Sequence, residues 1–230
     1  MTRPKAIRSN SAGQETRLAL LAIAERLFAE RGISGVSLRE IGREAMQGNN
    51  NVVQYHFGSK ENLVNHIFRW RLSQMEQSRL RMITRAQQEG RLSDCRTLVD
   101  IWCLPVLELT ADDGSHPYAH FMANYLARYR PAGMRHVGDL SPEEFPSLIM
   151  LNKCLNGAVS HLPSRLRSRR IETAFQIFLF SIVTNDLRGG PKDEPPADLD
   201  DVLELAATIL CQPAGRSYPP IANDSPQVAI

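Results

Sequence analysis

The sequence predicts an all-α protein with two helical parts, a small unit at the front and a larger one behind it. Apolar residues recur at spacings of three and four through most of the chain, as at Leu18, Leu21 and Phe28, which is the period of a helix with one buried face. No segment of convincing length alternates apolar and polar residues as a strand does. A chain of 230 residues is long enough for one or two cores.

The first two helices have clear ends. A helical pattern runs from Glu15 and stops at Gly32, a residue that can end a helix in a left-handed conformation. Ser37 then stands three residues before Glu40, which is the spacing of a capping box. In this motif the serine side chain accepts from the backbone N–H of the glutamate, and the glutamate side chain accepts from the backbone N–H of the serine. We expect the second helix to begin at Ser37.

A short third helix and a long fourth one follow. The turn MQGNN precedes a helix expected from about Asn51 to Phe57, which Gly58 ends. Ser59 can cap the next helix, whose pattern continues to Gly90. This fourth helix would be about 40 Å long at about 1.5 Å per residue, enough to join the front unit to the rest.

The remaining elements are also expected to be helical. They are residues 92–109 with a bend or break at Pro105, 117–129, 141–162 opened by Ser141, 164–188 and 199–210. The whole chain is therefore divided into four segments. These are a disordered basic arm (1–14), a helix-turn-helix domain (15–60), a larger helical domain (61–212) and a disordered tail (213–230).

The basic residues are concentrated at the front. Residues 1–60 hold nine Lys and Arg against five Glu, whereas residues 61–230 hold eighteen basic against twenty acidic residues. A basic front on a slightly acidic remainder favours an anionic partner, DNA above all. No apolar run long enough for a membrane span or secretion signal occurs, so we expect a cytoplasmic protein with four reduced cysteines and no membrane partner.

The residues around the turn are suited to reading DNA. Asn and Gln can pair bidentately with adenine in the major groove, which makes candidate base readers of Gln47, Asn49, Asn50, Asn51 and Gln54. Tyr55, His56 and Lys60 are candidates for phosphate contacts, with Ser37 and Arg39 on the opposite backbone. Phosphate contacts position a protein, and base contacts give it specificity.

The segments LREIGREA and VVQYHFGSKENLV resemble the DNA-binding domain of the tetracycline-repressor (TetR) family of transcription regulators, over about residues 15–66. The resemblance implies an all-helical, usually dimeric repressor with a palindromic operator and a variable C-terminal domain whose small-molecule effector releases the DNA. It also implies backbone contacts or support at Tyr55, His56 and Lys60. The chain departs from the family pattern in a turn one residue longer and in Gln54, where a tyrosine is common.

The back half contains candidate ligand-binding residues. Aromatic and amide side chains on otherwise apolar faces would suit a small, largely apolar effector with a few polar atoms; they are Trp102, Phe121, Asn124, Tyr125 and Asn152. Plain core packing explains each of them equally well. The arginines of residues 165–170 are either an anion site or, more commonly, a solvated face. His116 and His120 lack a third ligand at metal spacing, so no metal and no cofactor are expected.

The dimer interface is expected on the last two helices, because a palindrome is read by two copies of a short recognition helix held about one helical turn apart. The predicted interface consists of Phe175, Phe178, Leu179, Ile182, Leu205 and Ile209. No nucleophile elbow, phosphate-binding glycine loop or zincin motif is present, so the chain is not expected to be an enzyme. Two alternatives are a helical small-molecule-binding protein and a DNA-binding protein without effector control.

Overall fold

In the computed structural model, residues 6–45, 51–190 and 195–215 are described, and all regular structure in them is helical, which confirms the all-α prediction. The α-helices are α1 (Ala6–Arg31), α2 (Leu38–Glu44), α3 (Val52–Phe57), α4 (Lys60–Gln88), α5 (Cys95–Leu107), α6 (Pro117–Asn124), α7 (Val137–Leu140), α8 (Pro146–Ala158), α9 (Ser164–Leu187) and α10 (Leu199–Cys211). A π-helix, Tyr125–Tyr129, continues α6, and a 3₁₀ turn, Pro142–Glu144, precedes α8.

The local sequence determines the ends of the first four helices. Gly32 takes a φ of 74° just after α1, a conformation that costs glycine little. The capping box at the start of α2 is present, with the Ser37 side chain accepting from the N–H of Glu40. Ser59 likewise accepts from the N–H of Asn62 at the start of α4. These predicted boundaries are confirmed.

The long helix α4 belongs to both parts of the molecule. It packs on α1 and α3 of the front unit and on α5, α7 and α8 of the back half. Behind it α9 packs along α10, while α6 lies between α9 and α1. The helix-turn-helix unit therefore contacts the back half through α6 as well as through α4.

Three predicted segments differ from the structure. Residues 6–14 form the first turns of α1 where a disordered arm was expected, so the helix starts well before Glu15. Pro105 lies inside α5 without ending it. The helix expected to start at Ser141 is wrong, because a 3₁₀ turn intervenes and α8 begins only at Pro146. Residues 1–5 and most of the predicted tail lie outside the described residues.

The expectation of four reduced cysteines is wrong for one pair. Cys95, at the start of α5, and Cys211, at the end of α10, form a disulfide across a sequence separation of 116 residues. Their Cα atoms lie 6.6 Å apart, since α10 packs alongside α5. Cys103 and Cys154 are free thiols. No spacing in the sequence indicates a pairing between residues so far apart.

A buried ion pair joins α1 to α4. The Arg71 guanidinium donates two hydrogen bonds to the Glu25 carboxylate, one of them 2.8 Å long from Nε, and both residues are buried. Arg71 donates a third bond to Gln74 at 2.9 Å, and its guanidinium stacks 3.9 Å from the centre of the Trp70 ring. Burial raises the pKa of Glu25, while the hydrogen bonds and charge of Arg71 act in the opposite direction. The two charges are therefore stable in the interior only as a pair.

We predict that breaking this pair destabilises the protein far more than replacing it. Either Glu25→Leu or Arg71→Met alone should lower the free energy of unfolding by about 3 kcal/mol, because the remaining charge stays buried without its partner. The double variant Glu25→Leu/Arg71→Met should lie within about 1 kcal/mol of the parent chain. Urea unfolding of the four proteins measures the three differences.

The control is the exposed pair Arg85–Glu89 on the same helix. Glu89→Gln should change stability little, because solvent screens exposed ion pairs. Additive effects of the two buried substitutions would contradict a role for Glu25 and Arg71 as a coupled unit.

Candidate nucleic-acid interface and internal cavity

The third helix is held from one side and presents the other side to solvent. Val53 and Phe57, one turn apart, are buried beneath it. Gln54 is exposed, and Tyr55 is 84% exposed although it is a large aromatic residue. An amide and a phenol therefore project side by side from a helix whose inner face is fixed.

Part of the predicted base-reading set cannot be placed. Gln47, Asn49 and Asn50 lie outside the described residues. Asn51 is the N-cap residue of α3 and is exposed, but its side chain does not form the capping hydrogen bond. His56 is half-buried, with its ring centroid 5.2 Å from that of Tyr55 in an edge-on arrangement.

Two predicted phosphate contacts have local partners. The Ser37 hydroxyl accepts from the N–H of Glu40 at 3.2 Å, so it serves as a helix cap. Lys60 donates from Nζ to the carbonyl of Ile33 at 3.0 Å, tying the start of α4 to the turn between α1 and α2. An ammonium group has three donors, so this bond leaves capacity for a phosphate. Arg39 is exposed on α2.

A cavity of about 270 Å³, partly open to solvent, lies among α5, α6, the π-helix, α7, α8 and α9. Of the predicted ligand residues, Trp102, Tyr125 and Asn152 line it. Phe121 instead packs in the core, with its ring centroid 5.3 Å from that of Phe68. Asn124 donates to the carbonyl of Ala29 at 3.0 Å, so it connects the end of α6 to α1.

The sequence reasoning missed the charged residues beside this cavity. Arg130 donates to Glu172 at 2.6 Å and to Asp139 at 2.7 Å, and all three side chains line the cavity at its exposed side. The three groups come from separate elements, and no sequence spacing links them.

His136 is a further lining residue that the sequence reasoning missed. The backbone N–H of Gly138 donates to its Nδ1 at 3.1 Å, so the neutral ring carries its proton on Nε2. That Nε2 is shielded from solvent and has no partner among the described residues, although the residue as a whole is half-buried. Its ring packs on Phe68, centroid to centroid 4.2 Å. Burial lowers the pKa of His136 to about 4; the charge of Asp139 acts against this shift, and those of Arg130 and Arg79 act with it.

We predict an acid sensitivity that depends on His136. The unfolded chain protonates this histidine near its ordinary pKa of 6.5, whereas the folded chain does so only near 4. Between these values the unfolded state binds more protons than the folded state. The free energy of unfolding therefore decreases as the pH is lowered, by up to about 3 kcal/mol from this group. Urea unfolding at several pH values should show that His136→Gln loses less stability on acidification than the parent chain does.

The matched control is His161→Gln, which removes an exposed histidine. This variant should follow the parent curve. Parallel curves for the parent and His136→Gln would show that His136 has an ordinary pKa in the folded protein.

The π-helix connects the cavity to the front unit. Tyr125 and Leu126, at its start, line the cavity. At its end, the hydroxyl of Tyr129 accepts a hydrogen bond of 2.9 Å from the backbone N–H of Ser34, in the turn between α1 and α2. A molecule that displaced this short helix would therefore also displace the turn between α1 and α2, which Lys60 binds as well.

The predicted dimer interface is wrong for four of its six residues. The side chains of Phe175, Phe178, Leu179 and Ile182 are buried in the chain's own core, because that face of α9 is covered by α5, α6 and α10. Leu205 is 51% exposed, and Ile209 is half-buried. The prediction omitted Phe180, 70% exposed, and Leu187, 76% exposed. Because the middle of α9 is apolar on nearly every side, its sequence does not indicate which side is buried by the same chain and which side is exposed.

The arginines of residues 165–170 do not form one anion site. Arg167 donates to the carbonyls of Ser160 and Leu162, and Arg170 to that of Ile209, so these two side chains close nearby helix ends. His116 and His120 both bind the Asp186 carboxylate at 3.1 Å. No cluster in the described part of the chain could hold a metal ion. The same residues include no helix that is both long and apolar enough for a membrane crossing.

Comparison with known proteins agrees with the geometry of the front unit. No curated protein sequence matches the chain. The crystal structure of a proposed TetR-family transcriptional regulator from Mesorhizobium loti MAFF303099 is similar over 86% of this chain and 96% of that one, with 15% identity and a TM-score of 0.46. Residues 20–67, which span most of α1 through the start of α4, match the family model of bacterial regulatory proteins of the tetR family. The match thus assigns residues 20–67 of this chain to a domain of the tetR family of bacterial regulatory proteins.

Proposed function

We propose that this protein is a ligand-responsive transcriptional repressor that binds a palindromic operator as a homodimer and is released by a small, largely apolar effector. The observation that carries the proposal is α3, a helix with buried Val53 and Phe57 and with Gln54 and Tyr55 projecting into solvent, within the segment that matches the family. Such a helix fits the major groove, about 12 Å wide in B-DNA.

On this proposal, the exposed residues divide by chemistry. The Gln54 amide, with Gln47, Asn49, Asn50 and Asn51 before it, meets base edges, since an amide can donate and accept at once. Tyr55, His56, Lys60, Arg39 and the helix end at Ser37 meet phosphates, which accept hydrogen bonds from hydroxyls, cations and helix N-termini. The long α4 and the turn at Ser34 hold this unit against the back half.

The second copy of the chain is proposed to dock on an exposed apolar face of α9 and α10. Phe180 and Leu187 lie seven residues apart on α9, and Leu205 lies on the adjacent helix α10. Three large apolar side chains left in water on one pair of helices are typical of a protein interface. A two-fold contact there would build a four-helix bundle and give the two α3 helices the symmetry of a palindrome.

Two features favour effector control over constitutive DNA binding. One is the cavity, and the other is the π-helix that connects the cavity to the DNA-binding unit. The cavity has a parallel aromatic wall, in which the rings of Trp102 and Phe175 stack at 4.5 Å, and polar groups at its sides. Tyr125 belongs to the same π-helix as Tyr129, which binds the turn of the DNA-binding unit. A molecule in the cavity can bias DNA affinity only by binding the two states differently, and the π-helix offers the contact through which it would do so.

We predict that Gln54→Ala changes which bases are preferred, whereas Tyr55→Phe weakens binding to all sequences about equally. Gln54 carries sequence information, while the Tyr55 hydroxyl is one phosphate contact worth about 1 kcal/mol. Selection of binding sites from random duplexes, followed by measured affinities at several salt concentrations, separates the two effects. The parent chain should show a steep loss of affinity with salt.

The control is Gln87→Ala, an exposed glutamine at the far end of α4, which should alter neither affinity nor preference. If the selected site bound no more tightly than scrambled DNA, the proposed regulator function would be wrong.

We predict that Phe180→Arg yields a monomer, because a charge placed in the middle of an apolar interface loses its hydration without gaining a partner. Sedimentation velocity at micromolar concentration should show a dimer for the parent chain and a monomer for the variant. The variant should also lose affinity for the full palindrome, since each copy reads one half-site.

Ile149→Arg is the matched control, because Ile149 is exposed on α8, away from this face. It should remain dimeric. A dimeric Phe180→Arg chain, or a monomeric parent, would contradict the proposed interface.

A further inference from the structure

A groove open to solvent lies on the DNA-binding unit, where α1, α3 and α4 meet. Its volume is about 660 Å³. The polar residues on its walls include Gln14, Arg17, Tyr55, His56, His66 and Arg69. The described residues that line it include two arginines and no carboxylate. A cleft whose walls carry one sign of charge concentrates the opposite charge, so an anion is the expected occupant.

Arg17 is the arginine of this groove that has no acidic partner. Among the described residues its guanidinium forms no ion pair, and its Nη2 lies 2.9 Å from Nδ1 and 3.1 Å from Nε2 of His66. Because arginine can only donate, the imidazole is the acceptor in this contact. The guanidinium also lies over the Phe57 ring, 5.5 Å from its centre. Arg17 is half-buried, so water screens its charge only in part.

The second arginine of the groove is already paired. Arg69 donates two hydrogen bonds to the Glu144 carboxylate, 2.8 Å long from Nε and 3.1 Å long from Nη2. Glu144 is not one of the residues that line the groove. Because the pair adds little net charge, the unpaired Arg17 dominates the electrostatic field in the groove.

His66 shows the sign of this field at one wall. Burial lowers the pKa of His66 most, and the charges of Arg17 and Arg69 lower it further. The charge of Glu144 acts in the opposite direction and is the weakest of these influences. Positive charge therefore outweighs negative charge at the imidazole. The same field that disfavours an imidazolium favours an anion.

The position of the groove favours DNA over a small anion as its occupant. Tyr55 and His56 line the groove, and both belong to the residues proposed above to contact phosphates. A duplex carries about one negative charge per 1.7 Å of its axis, so a strand that contacts Tyr55 presents further phosphates beside it. The groove is open to solvent rather than enclosed, which suits a strand passing over it more than a small molecule held within it.

We propose that the sugar-phosphate backbone of the operator continues from α3 across this groove, where Arg17 contacts a phosphate. This inference rests on the proposed function, and it extends the DNA interface from α2, α3 and the start of α4 to α1. A guanidinium matches the geometry of a phosphate, to which it can donate two parallel hydrogen bonds. The phosphate supplies the counter-charge that Arg17 lacks within the chain. Such a contact positions the protein without reading sequence.

The first test removes the charge of Arg17 in the full chain. Arg17→Gln should weaken binding of the selected operator and of scrambled duplex by the same factor, about ten-fold. The slope of log affinity against log salt concentration should become shallower by about 1, because one phosphate contact is lost. Arg17→Lys keeps the charge and should retain most of the affinity and the slope. Parent-like affinity and slope in Arg17→Gln would overturn the proposal.

Phosphate ethylation interference separates a phosphate contact from a structural role. Arg17 also touches Phe57 and His66, so its loss could disturb α3. If Arg17 contacts a phosphate, Arg17→Gln should lose interference at one phosphate of each half-site and retain it at the others. Loss at every phosphate alike would assign Arg17 a structural role and overturn the proposal.

A second pair of variants leaves the contacts of Arg17 in place. Gln14→Glu puts a carboxylate on the wall of the groove, and Ala19→Glu puts one on an exposed position of the same helix outside the groove. Gln14→Glu should weaken DNA binding several-fold through repulsion of the phosphate, whereas Ala19→Glu should bind nearly as the parent does. Equal effects of the two would overturn the proposal. If Arg17→Gln does not fold, this pair decides.

Two measurements on the parent chain separate the alternatives. Inorganic phosphate that bound at millimolar concentration or below, and lost binding in an Arg17→Gln chain with parent-like DNA affinity, would make the groove a small-anion site and overturn the proposal. Failure of the proposed function has a different result, because the parent itself would then bind the selected site no more tightly than scrambled DNA. Specific binding that Arg17→Gln leaves unchanged ends this inference alone.

Discussion

The buried pair between Glu25 and Arg71 is the constraint on which the arrangement of this molecule depends. The helix-turn-helix unit alone has little core, and α1 and α4 must cross in one fixed way for it to be useful. An apolar contact could hold the two helices together but would tolerate sliding, whereas a two-bond carboxylate–guanidinium contact has a defined geometry. The third bond to Gln74 and the stacking on Trp70 leave Arg71 a single conformation.

With α1 and α4 fixed, the back half meets the front unit where α6 packs along α1, and two hydrogen bonds lie at the end of this contact. Asn124 binds the carbonyl of Ala29 and Tyr129 binds the N–H of Ser34, so both contacts come from the end of α6 and the π-helix that continues it. A π-helix is a locally unfavourable form of helix and is common at functional sites. Its position between the cavity and the α1–α2 turn makes it the natural element to change shape on binding.

Local rules made the front unit predictable, and long-range packing made much of the rest unpredictable. The caps at Ser37 and Ser59 depend on residues three positions away, so the sequence alone determines them. The exposed side of α9, which carries Phe180, depends on which helices cover the other side. The disulfide between Cys95 and Cys211 and the ion pairs of Arg130 at the cavity also depend on long-range packing, because the residues that form them lie on different elements. The sequence predicts Phe121 and Asn124 as ligand contacts because composition cannot separate a cavity wall from a core.

The two kinds of arginine in the back half show why position decides what a charge does. Arg167 and Arg170 form part of the visible basic cluster of α9, yet both bind backbone carbonyls at helix ends, where water screens them. Arg79, between Ser78 and Leu80 in the sequence, is only 2% exposed. Because its charge is buried and forms no ion pair with a carboxylate among the described residues, Arg79 lowers the stability of the domain around it. The same guanidinium on the surface would have little effect on stability, since water would screen its charge.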